Sequence, residues 1–312
     1  MIIKALVTGG NGYVGSHLIL ELLRSSVEVH AIANCRTDKL SALLPESCIH
    51  PIGNDIRAVT NLVTKLAPGT IYHLATVYKE PPDLDDLVAM LNSNIALGAA
   101  LLYGASRCDP HPAFVNLGTY WQFGDDANAH SPNTFYAASK QAMHDLLVYF
   151  RHVQGIHAVT LVLYEIFGPD DPRPKLWTQL AKVTAGSTFP VTEGRQYIEL
   201  VHVDDTVRAI LFAAKRLTNG SLPEPIYSVR SENRMTLRTL LEEIHDRAGM
   251  DIRFEWGAIK YLPSQIFSPW ITAPLPGWEP NVSPVEGIVK LLKDSVASRP
   301  ANQASSGRRK AE

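Results

Sequence analysis

The sequence predicts an α/β fold in which a doubly wound parallel β-sheet is followed by a smaller C-terminal lobe. Three observations predict it. Short apolar runs alternate with amphipathic, helix-length runs between Ile2 and Asn116, as in strands joined by crossover helices. A glycine-rich loop directly follows the first apolar run. After Gly168-Pro169 the pattern gives way to shorter segments interrupted by prolines.

Seven apolar runs are expected to be strands of one sheet. Their continuous apolar character is typical of parallel strands that are buried on both faces. Helices are expected after residues 12, 62, 87 and 135. The predicted strands cover residues 3–8, 28–33, 50–53, 70–74, 113–117, 158–163 and 199–203.

The domain division follows from these elements. Residues 1–165, completed by about 197–216, are expected to form the domain that contains the sheet. Residues 166–196 and 217–297 are expected to form a smaller substrate-binding lobe, which faces the carboxyl edge of the sheet because ligands of such sheets bind there. Residues 298–312 have the composition of a flexible tail.

Composition favours a small-molecule partner. The 312 residues carry a formal net charge of −2, which provides no field to attract nucleic acid or an anionic membrane. No run reaches the ~18 to 20 consecutive apolar residues of a membrane span, and no secretory leader is recognisable. Cys35, Cys48 and Cys108 have neither disulfide-framework nor metal-ligand spacing. We therefore expect a cytoplasmic protein without a metal site.

The glycine loop predicts a dinucleotide-binding site. It lies between the first strand and a helix, where glycines allow a tight turn and a close approach of the backbone to a pyrophosphate. The helix N-terminus supplies free amides to the phosphates. The predicted contacts are Gly9, Gly10, Asn11, Gly12, Tyr13, Val14 and Gly15.

The end of the second strand favours NADP over NAD. A site that prefers NAD usually presents an acid to the ribose here, whereas this strand ends in Ala33 and is followed by Asn34 and Arg36. Arg36 can pair with a 2′-phosphate and Asn34 can hydrogen-bond it. The alternative is that Arg36 is an ordinary solvated residue and that Asp38 reaches the ribose.

Asp55 follows the third predicted strand and is placed, with Ile56, to contact the adenine. The alternative role of Asp55 is that of a helix cap, since Asp is a preferred residue at that position.

Tyr136 and Lys140 are the predicted catalytic pair. Their spacing of four residues puts a phenol and an ammonium on one face of a helix, and the ammonium is expected to lower the pKa of the phenol. Tyr136 could then donate a proton to a carbonyl while a nicotinamide delivers hydride. Thr119, at the end of the fifth strand, is expected to hydrogen-bond the reacting oxygen, unless it is only a strand-end hydroxyl.

Together these motifs resemble the extended short-chain dehydrogenase/reductase family. The resemblance implies a Rossmann-type domain, a Thr-Tyr-Lys active site, a nicotinamide cofactor, usually a nucleotide-sugar substrate, and a homodimer packed through the helices near Asn94 and Tyr136. It also implies cofactor contacts from Leu74, Ala75 and Asn94. The motifs that carry it are the glycine loop, Asp55, His73-Leu74-Ala75, Asn94, Thr119 with Gly124, Tyr136 with Lys140, Gly168-Pro169 and Val203-Asp204-Asp205.

The residues after Thr119 narrow the reaction. Family members that dehydrate sugars have an Asp-Glu pair there, and the related decarboxylases have a Glu, whereas this chain has Tyr120-Trp121. The reactions that remain are reduction of a 4-keto sugar and epimerisation by oxidation and re-reduction. A preference for NADP favours reduction. A non-catalytic NADP-binding regulator and a non-sugar carbonyl substrate are further alternatives.

Residues 163–176 resemble the corresponding stretch of CDP-abequose synthase-like reductases, which favours a CDP-sugar. Two positions depart from the family, since Glu165 stands where Asn is more frequent and Ile198 where an Arg faces the substrate diphosphate. The diphosphate charge is therefore expected from elsewhere, although each candidate could be a plain surface charge. The remaining predicted substrate contacts are Trp121, Tyr164, Glu165, Arg173, Lys175 and Arg195.

Overall fold

The computed structural model describes residues 3–33, 38–53, 55–125, 130–231 and 234–297. Asn34, Arg36 and the predicted tail at 298–312 lie outside the described residues. The strands are β1 Lys4–Thr8, β2 Glu28–Ala33, β3 Ile49–Pro51, β4 Thr70–His73, β5 Ala113–Thr119, β6 Ala158–Leu163, β7 Glu165–Phe167, β8 Ser187–Val191, β9 Tyr197–Ile198, β10 Leu200–His202, β11 Ile226–Val229, β12 Met235–Thr236 and β13 Ile252–Trp256.

The α-helices are likewise numbered in chain order. Short 3₁₀ turns at Glu46–Cys48 and Tyr120–Phe123 supplement them. The helices are α1 Tyr13–Arg24, α2 Asp38–Ser41, α3 Ile56–Leu66, α4 Leu84–Leu91, α5 Leu97–Ala105, α6 Phe135–Gln154, α7 Leu176–Leu180, α8 Val203–Thr218, α9 Leu237–Ala248 and α10 Pro284–Ala297.

Seven parallel strands form the central sheet, in the order β11-β6-β5-β4-β1-β2-β3. This confirms the predicted α/β fold with a doubly wound parallel sheet. The chain leaves β1 toward β2 on one side and later returns to place β4 on the other, so the order reverses between β1 and β4. Ligands of such sheets bind where the order reverses, outside the carboxyl ends of the strands.

Helices cover both faces of the sheet. On one face, α1 and α8 bury apolar side chains such as Leu18 and Ile210 against the strands. On the other, α3, α5 and α6 contribute Val63, Leu101 and Met143 to a second apolar cluster. Burial on both faces explains why β5, whose seven residues are all buried, has no polar alternation in its sequence.

The seventh strand of the sheet was predicted wrongly. Residues 199–203 were expected to complete it, but β10 pairs with β7 in a separate two-stranded sheet, and β11 occupies the edge beside β6. The stretch Ile226–Val229 therefore lies in the central sheet and not in the predicted lobe of residues 217–297. Both runs are short and apolar, so only the long-range pairing distinguishes them.

A third apolar cluster is built by residues outside the seven-stranded sheet. Phe167, Trp177, Leu241 and Ile288 are buried in it, contributed by β7, α7, α9 and α10. A parallel pair of strands, β8 and β13, adds to this region.

A π-helical turn at Asn92–Ala96 joins α4 and α5 into one helix from Leu84 to Ala105. This helix is long and apolar enough, by length and composition, to cross a membrane. Core helices pass the same test, and here Leu101 and Leu102 are fully buried against α3 and α6.

Candidate active site

The glycine loop brings three backbone segments into contact. Gly9 has φ +75°, and a Cβ there would lie 2.6 Å from the Leu74 carbonyl carbon and the Ala75 nitrogen. A Cβ on Gly15 would lie 2.2 Å from the Gly9 oxygen. Only glycine fits these positions, because the obstructing atoms belong to the backbone. The Gly12 amide donates to the Gly9 carbonyl at 2.9 Å, and α1 begins at once without a side-chain cap.

A cavity of about 310 Å³ lies over this loop, where the strand order reverses between β1 and β4. One wall is bare backbone and a helix N-terminus, and the other is apolar. Such a groove fits a dinucleotide, whose pyrophosphate needs close amides and whose adenosine needs an apolar wall. Of the predicted cofactor contacts, those that line the cavity are Gly9, Gly10, Asn11, Gly12, Ile56, Leu74 and Ala75.

Several predicted cofactor contacts lie beside this cavity. The Tyr13 hydroxyl donates to the Pro169 carbonyl at 2.8 Å, which ties the glycine loop to the segment after β7. Val14 packs into the apolar cluster beneath α1. The Asp55 carboxylate accepts from the amides of Arg57 and Ala58, so Asp55 caps α3, as its alternative interpretation predicted.

Asn94 is fully buried in the π-helical turn and uses its whole hydrogen-bonding capacity within the protein. Its side-chain nitrogen donates to the Val77 carbonyl and to the Ser139 hydroxyl. Its side-chain oxygen accepts from the Val77 amide and the Thr76 hydroxyl. Asn94 thus joins the segment after β4 to α6, the helix that carries the predicted catalytic pair.

Tyr136 lies in the first turn of α6, which Thr134 caps by accepting from the Ala137 amide. The Thr76 side chain hydrogen-bonds the Tyr136 phenol, and the Tyr78 ring meets the Tyr136 ring edge-on at a centroid distance of 5.2 Å. Thr76 also lines the cavity, so the phenol lies beside it. Burial raises the pKa of Tyr136 to about 12, and the hydrogen bond with Thr76 opposes that rise by a smaller amount.

Lys140 is only 2 % exposed, and burial lowers the pKa of its ammonium to about 8. The charges acting on the Tyr136 phenol are those of Tyr78 and Glu165, and Lys140 is not among them. The prediction that Lys140 lowers the pKa of Tyr136 is therefore wrong for this structure, because desolvation of the phenol dominates. Lys140 instead acts on buried His73, whose pKa falls to about 3 mainly through burial.

Thr119 ends β5 and is buried. Its hydroxyl oxygen accepts a long bond, 3.4 Å, from the Trp121 amide, and its own amide donates to the Gln122 side-chain oxygen at 2.8 Å. Gln122 is held in turn by Gln141 of α6. Thr119 therefore has the role of a turn cap, while its hydroxyl proton is not consumed by the bond from Trp121.

Aromatic rings form a continuous wall from the Tyr136 phenol outward. Tyr78 touches Trp121, Trp121 touches Tyr120, and Tyr120 stacks on Tyr164, with centroids 5.9, 6.1 and 5.4 Å apart. The Tyr164 hydroxyl donates to the Trp270 carbonyl, so Tyr164 is held by packing and a backbone bond. We call this row of rings the aromatic wall.

Each cation predicted for the substrate has a carboxylate partner of its own. Lys175 pairs with Glu165 at 2.5 Å. The Arg173 guanidinium binds both carboxylate oxygens of buried Asp171 and lies over the Tyr13 ring. The Arg195 side chain is 68 % exposed and pairs with Glu193 at 2.7 Å. Asp171 and Glu193 each lie two residues from the arginine they bind, a spacing that the sequence analysis overlooked.

Sequence reasoning also missed Thr76 and Tyr78. Both directly follow the His73-Leu74-Ala75 segment, in the loop at the carboxyl end of β4. Their position at the edge where the strand order reverses was the signal that could have identified them.

Known proteins resemble this chain in sequence and in fold. CDP-abequose synthase of Yersinia pseudotuberculosis is 24% identical over 268 residues, covering 85% of this chain and 91% of that protein. CDP-abequose synthase of Salmonella typhimurium is 26% identical over 296 residues, covering 92% and 97%. A crystal structure of UDP-glucuronic acid 4-epimerase from Bacillus cereus, in complex with UDP-glucuronic acid and NAD, has the same fold with a TM-score of 0.72, at 20% identity over 94% of this chain and 99% of that one.

A family model, described as the NAD dependent epimerase/dehydratase family, matches residues 5–229. This range contains β1 to β11, the glycine loop and the Tyr136–Lys140 pair. The chain belongs to the NAD dependent epimerase/dehydratase family, whose nicotinamide-dependent members act on nucleotide sugars.

Proposed function

We propose that this protein is an NADPH-dependent reductase of a nucleotide-activated 4-keto-(deoxy)hexose. One observation carries the proposal: the Tyr136 phenol is buried beside the glycine-loop cavity, with Lys140 one helical turn away. Neither of the two residues directly after Thr119 is an acid, so an elimination lacks the additional acid and base that it requires at these positions.

The residues would divide the work as follows. The backbone at Gly9 and Gly10 and the free amides in the first turn of α1 would hold the pyrophosphate, with Leu74 and Ala75 along the opposite wall. When bound there, the nicotinamide supplies hydride to the carbonyl carbon of the substrate.

Tyr136 would transfer the phenolic proton to the substrate oxygen. With a pKa of about 12, the phenol is protonated at neutral pH, as a proton donor must be. The Lys140 ammonium, with a pKa of about 8, is mainly charged at neutral pH and would hold the nicotinamide ribose by donating hydrogen bonds to its hydroxyls. The Thr119 hydroxyl would orient the same substrate oxygen.

NADP is proposed as the cofactor because no acid ends β2 and Arg36 follows it. NAD is the competing possibility, supported by the NAD bound in the Bacillus cereus epimerase. Mass spectrometry of the purified protein, together with calorimetric titration of NADPH and NADH, tests this choice. We expect NADPH to bind more tightly, and Arg36→Ala to weaken NADPH by about tenfold and NADH by less than twofold. Tighter binding of NADH would refute the NADP assignment.

A CDP-sugar is proposed as the substrate, supported by the two CDP-abequose synthases among the relatives. The second candidate is a nucleotide-sugar 4-epimerase, which the UDP-glucuronate 4-epimerases among the relatives support. Incubation with NADPH and a CDP-4-keto-6-deoxyhexose distinguishes them. A reductase consumes one NADPH for each sugar, whereas an epimerase interconverts hydroxy sugars without net consumption.

A non-catalytic NADP-binding regulator is the third candidate, from a different class. Retention of Tyr136, Lys140 and Thr119 together argues against it, because a sensor does not need all three. Tyr136→Phe would leave the biological activity of a regulator unchanged and would abolish that of a reductase.

We also propose that two copies pair through α4–α5 and α6. Exposed apolar side chains cluster on these helices, among them Val88 and Leu91 of α4, Tyr103 of α5, and Tyr149 and Val153 of α6. Patches of this kind mark association sites on water-soluble domains. Light scattering coupled to size-exclusion chromatography should give twice the chain mass, and Val153→Glu should reduce it to one chain.

A further inference from the structure

A buried polar cluster lies where the aromatic wall ends, next to Tyr164. Glu199 is 1 % exposed, and neither of its carboxylate oxygens has a hydrogen-bond partner. The Ser231 hydroxyl is also buried without a partner. Arg230 and Arg234 complete this group, which we call the arginine cluster. Their charges act on Glu199 and on the Tyr164 phenol, so the cluster adjoins the outer ring of the aromatic wall.

Topology places this cluster at the ligand-binding edge of the sheet. Arg230 and Ser231 directly follow β11, which pairs in parallel with β6, and Tyr164 directly follows β6. The carboxyl ends of parallel strands share one edge, so Arg230 lies at the same edge as the glycine loop and Thr119. Glu199 joins this edge through its carbonyl, which accepts from the Glu165 amide at 3.0 Å.

The two guanidiniums are not neutralised by the acid between them. Among the residues that the structure describes, no ion pair within 4.0 Å joins Glu199 to Arg230 or Arg234. Arg234 is fixed in place, because it donates to the Ser268 hydroxyl at 2.8 Å and lies over the Tyr197 ring at 4.7 Å. The Nε atoms of both arginines are buried without a partner. Unpaired buried donors of this kind are costly unless a ligand or water engages them.

The chemistry of the proposed substrate requires an anion site in this position. In a nucleotide-activated hexose the diphosphate is attached to C1, across the ring from a reacting C4. With C4 at Tyr136, the diphosphate must therefore lie farther out along the substrate side. Arg173, Lys175 and Arg195, predicted for this task, are each paired with a carboxylate. Guanidinium forks match phosphate oxygens in geometry, and both arginines of the cluster have donors to offer.

We propose that Arg230 and Arg234, assisted by the Ser231 hydroxyl, bind the diphosphate of the nucleotide-sugar substrate, an inference that rests on the proposed function. They would replace the diphosphate contact that an arginine makes in the family at the position of Ile198. Arg234 is held in position by its hydrogen bonds to Ser268 and Pro269, and Glu199 is the buried acid beside the two guanidiniums.

Calorimetric titration of the full chain, saturated with NADP, tests the proposal with CDP and cytidine as paired probes. For the unmodified protein we expect CDP to bind more tightly than cytidine. Arg230→Gln should weaken the binding of CDP by about tenfold or more and change the affinity for cytidine by less than twofold. Arg230→Lys should lose less than Arg230→Gln, since it keeps the charge. Arg253→Gln, which removes an exposed arginine of β13, is the matched control and should change neither probe.

Three results would overturn the proposal. In the first, the dissociation constant of CDP for Arg230→Gln stays within twofold of that for the unmodified protein. In the second, it weakens CDP and cytidine equally while NADP affinity and the melting temperature are unchanged, so that the diphosphate is not what Arg230 binds. In the third, the unmodified protein binds CDP, UDP and dTDP no more tightly than their nucleosides. Failure of the proposed function is a separate result: an Arg230-dependent diphosphate affinity without NADPH consumption would keep the subsite and refute the reductase.

Discussion

The cofactor side and the substrate side of this site are built by different means. On the cofactor side, Gly9 and Gly15 allow backbone segments to touch, and the cavity wall is made of main chain and apolar side chains. On the substrate side, charged side chains lie close together, paired in the case of Arg173 with Asp171 and without an ion pair in the case of Glu199 beside Arg230 and Arg234. The first construction depends on steric fit and the second on compensation of charge, so substitutions should separate the two.

The largest effect is expected at the junction of the two sides. Tyr136→Phe removes the proton donor but keeps the ring that packs against Tyr78. We expect kcat/KM for reduction to fall by about 10³-fold, while NADPH affinity changes by less than about threefold. Steady-state kinetics with a titration of the cofactor measures both. A residual rate above about one tenth would mean that another group delivers the proton.

Steric fit predicts the next effect. In Gly15→Ala the new methyl group would lie 2.2 Å from the Gly9 oxygen, and neither atom can rotate away. We expect a loss of cofactor affinity of at least about 100-fold, which corresponds to about 3 kcal/mol. Gly69→Ala is the matched control, since its Cβ would meet nothing closer than 3.7 Å. Equal cofactor affinity of the two variants would contradict the steric explanation for the glycines of the glycine loop.

Lys140 combines a catalytic task with a cost to folding. Its pKa is 10.5 in the unfolded chain and about 8 when buried, so the unfolded state binds more protons between these values, and stability rises with pH across that window. Below about pH 8 the burial of the charged ammonium lowers the free energy of unfolding by its full amount. Lys140→Met should therefore raise the free energy of unfolding at pH 7 by about 2 to 3 kcal/mol while abolishing reduction. Denaturant unfolding at pH 7 and pH 10 measures the difference, which should shrink at pH 10.

The smallest effect is expected at Glu199. Burial raises its pKa from 4.5 to about 7, so the folded state binds more protons between these values, and stability is lost as pH rises through 7. Glu199→Gln should stabilise the protein by about 1 to 2 kcal/mol at pH 8 and by less at pH 5. Melting temperatures of both proteins at the two pH values test this. An unchanged gap would show that the carboxylate is compensated in the folded state.

The difference between the two sides also explains what the sequence could predict. Gly9, Gly10 and Gly12 were identified because local spacing dictates their contacts: a strand, a tight turn and a helix leave few geometries for the chain. Leu74 was identified only through the family resemblance. Tyr136 and Lys140 share a helix, so their spacing alone placed them on one face.

The substrate side resisted prediction for physical reasons. Whether Arg173 is available to bind a substrate depends on the orientation of its side chain toward Asp171. The sequence does not contain that orientation, and there Arg173 resembles any other loop arginine. The arginine cluster could not be predicted, because its position follows from β11, and not residues 199–203, being the seventh strand of the sheet. Long-range pairing decides both points, and neither propensity nor periodicity contains it.

The four hydrogen bonds of Asn94 have a mechanical consequence. They fix the loop after β4 to α6, so the phenol of Tyr136 and one wall of the cofactor cavity cannot move independently. We therefore expect adaptation to different sugars on the other side of the site, in the segments that carry Arg234 and Trp270. Residues that contact the sugar could then change without moving Tyr136 relative to the cofactor cavity. A change in sugar specificity could evolve without disturbing the geometry of hydride transfer.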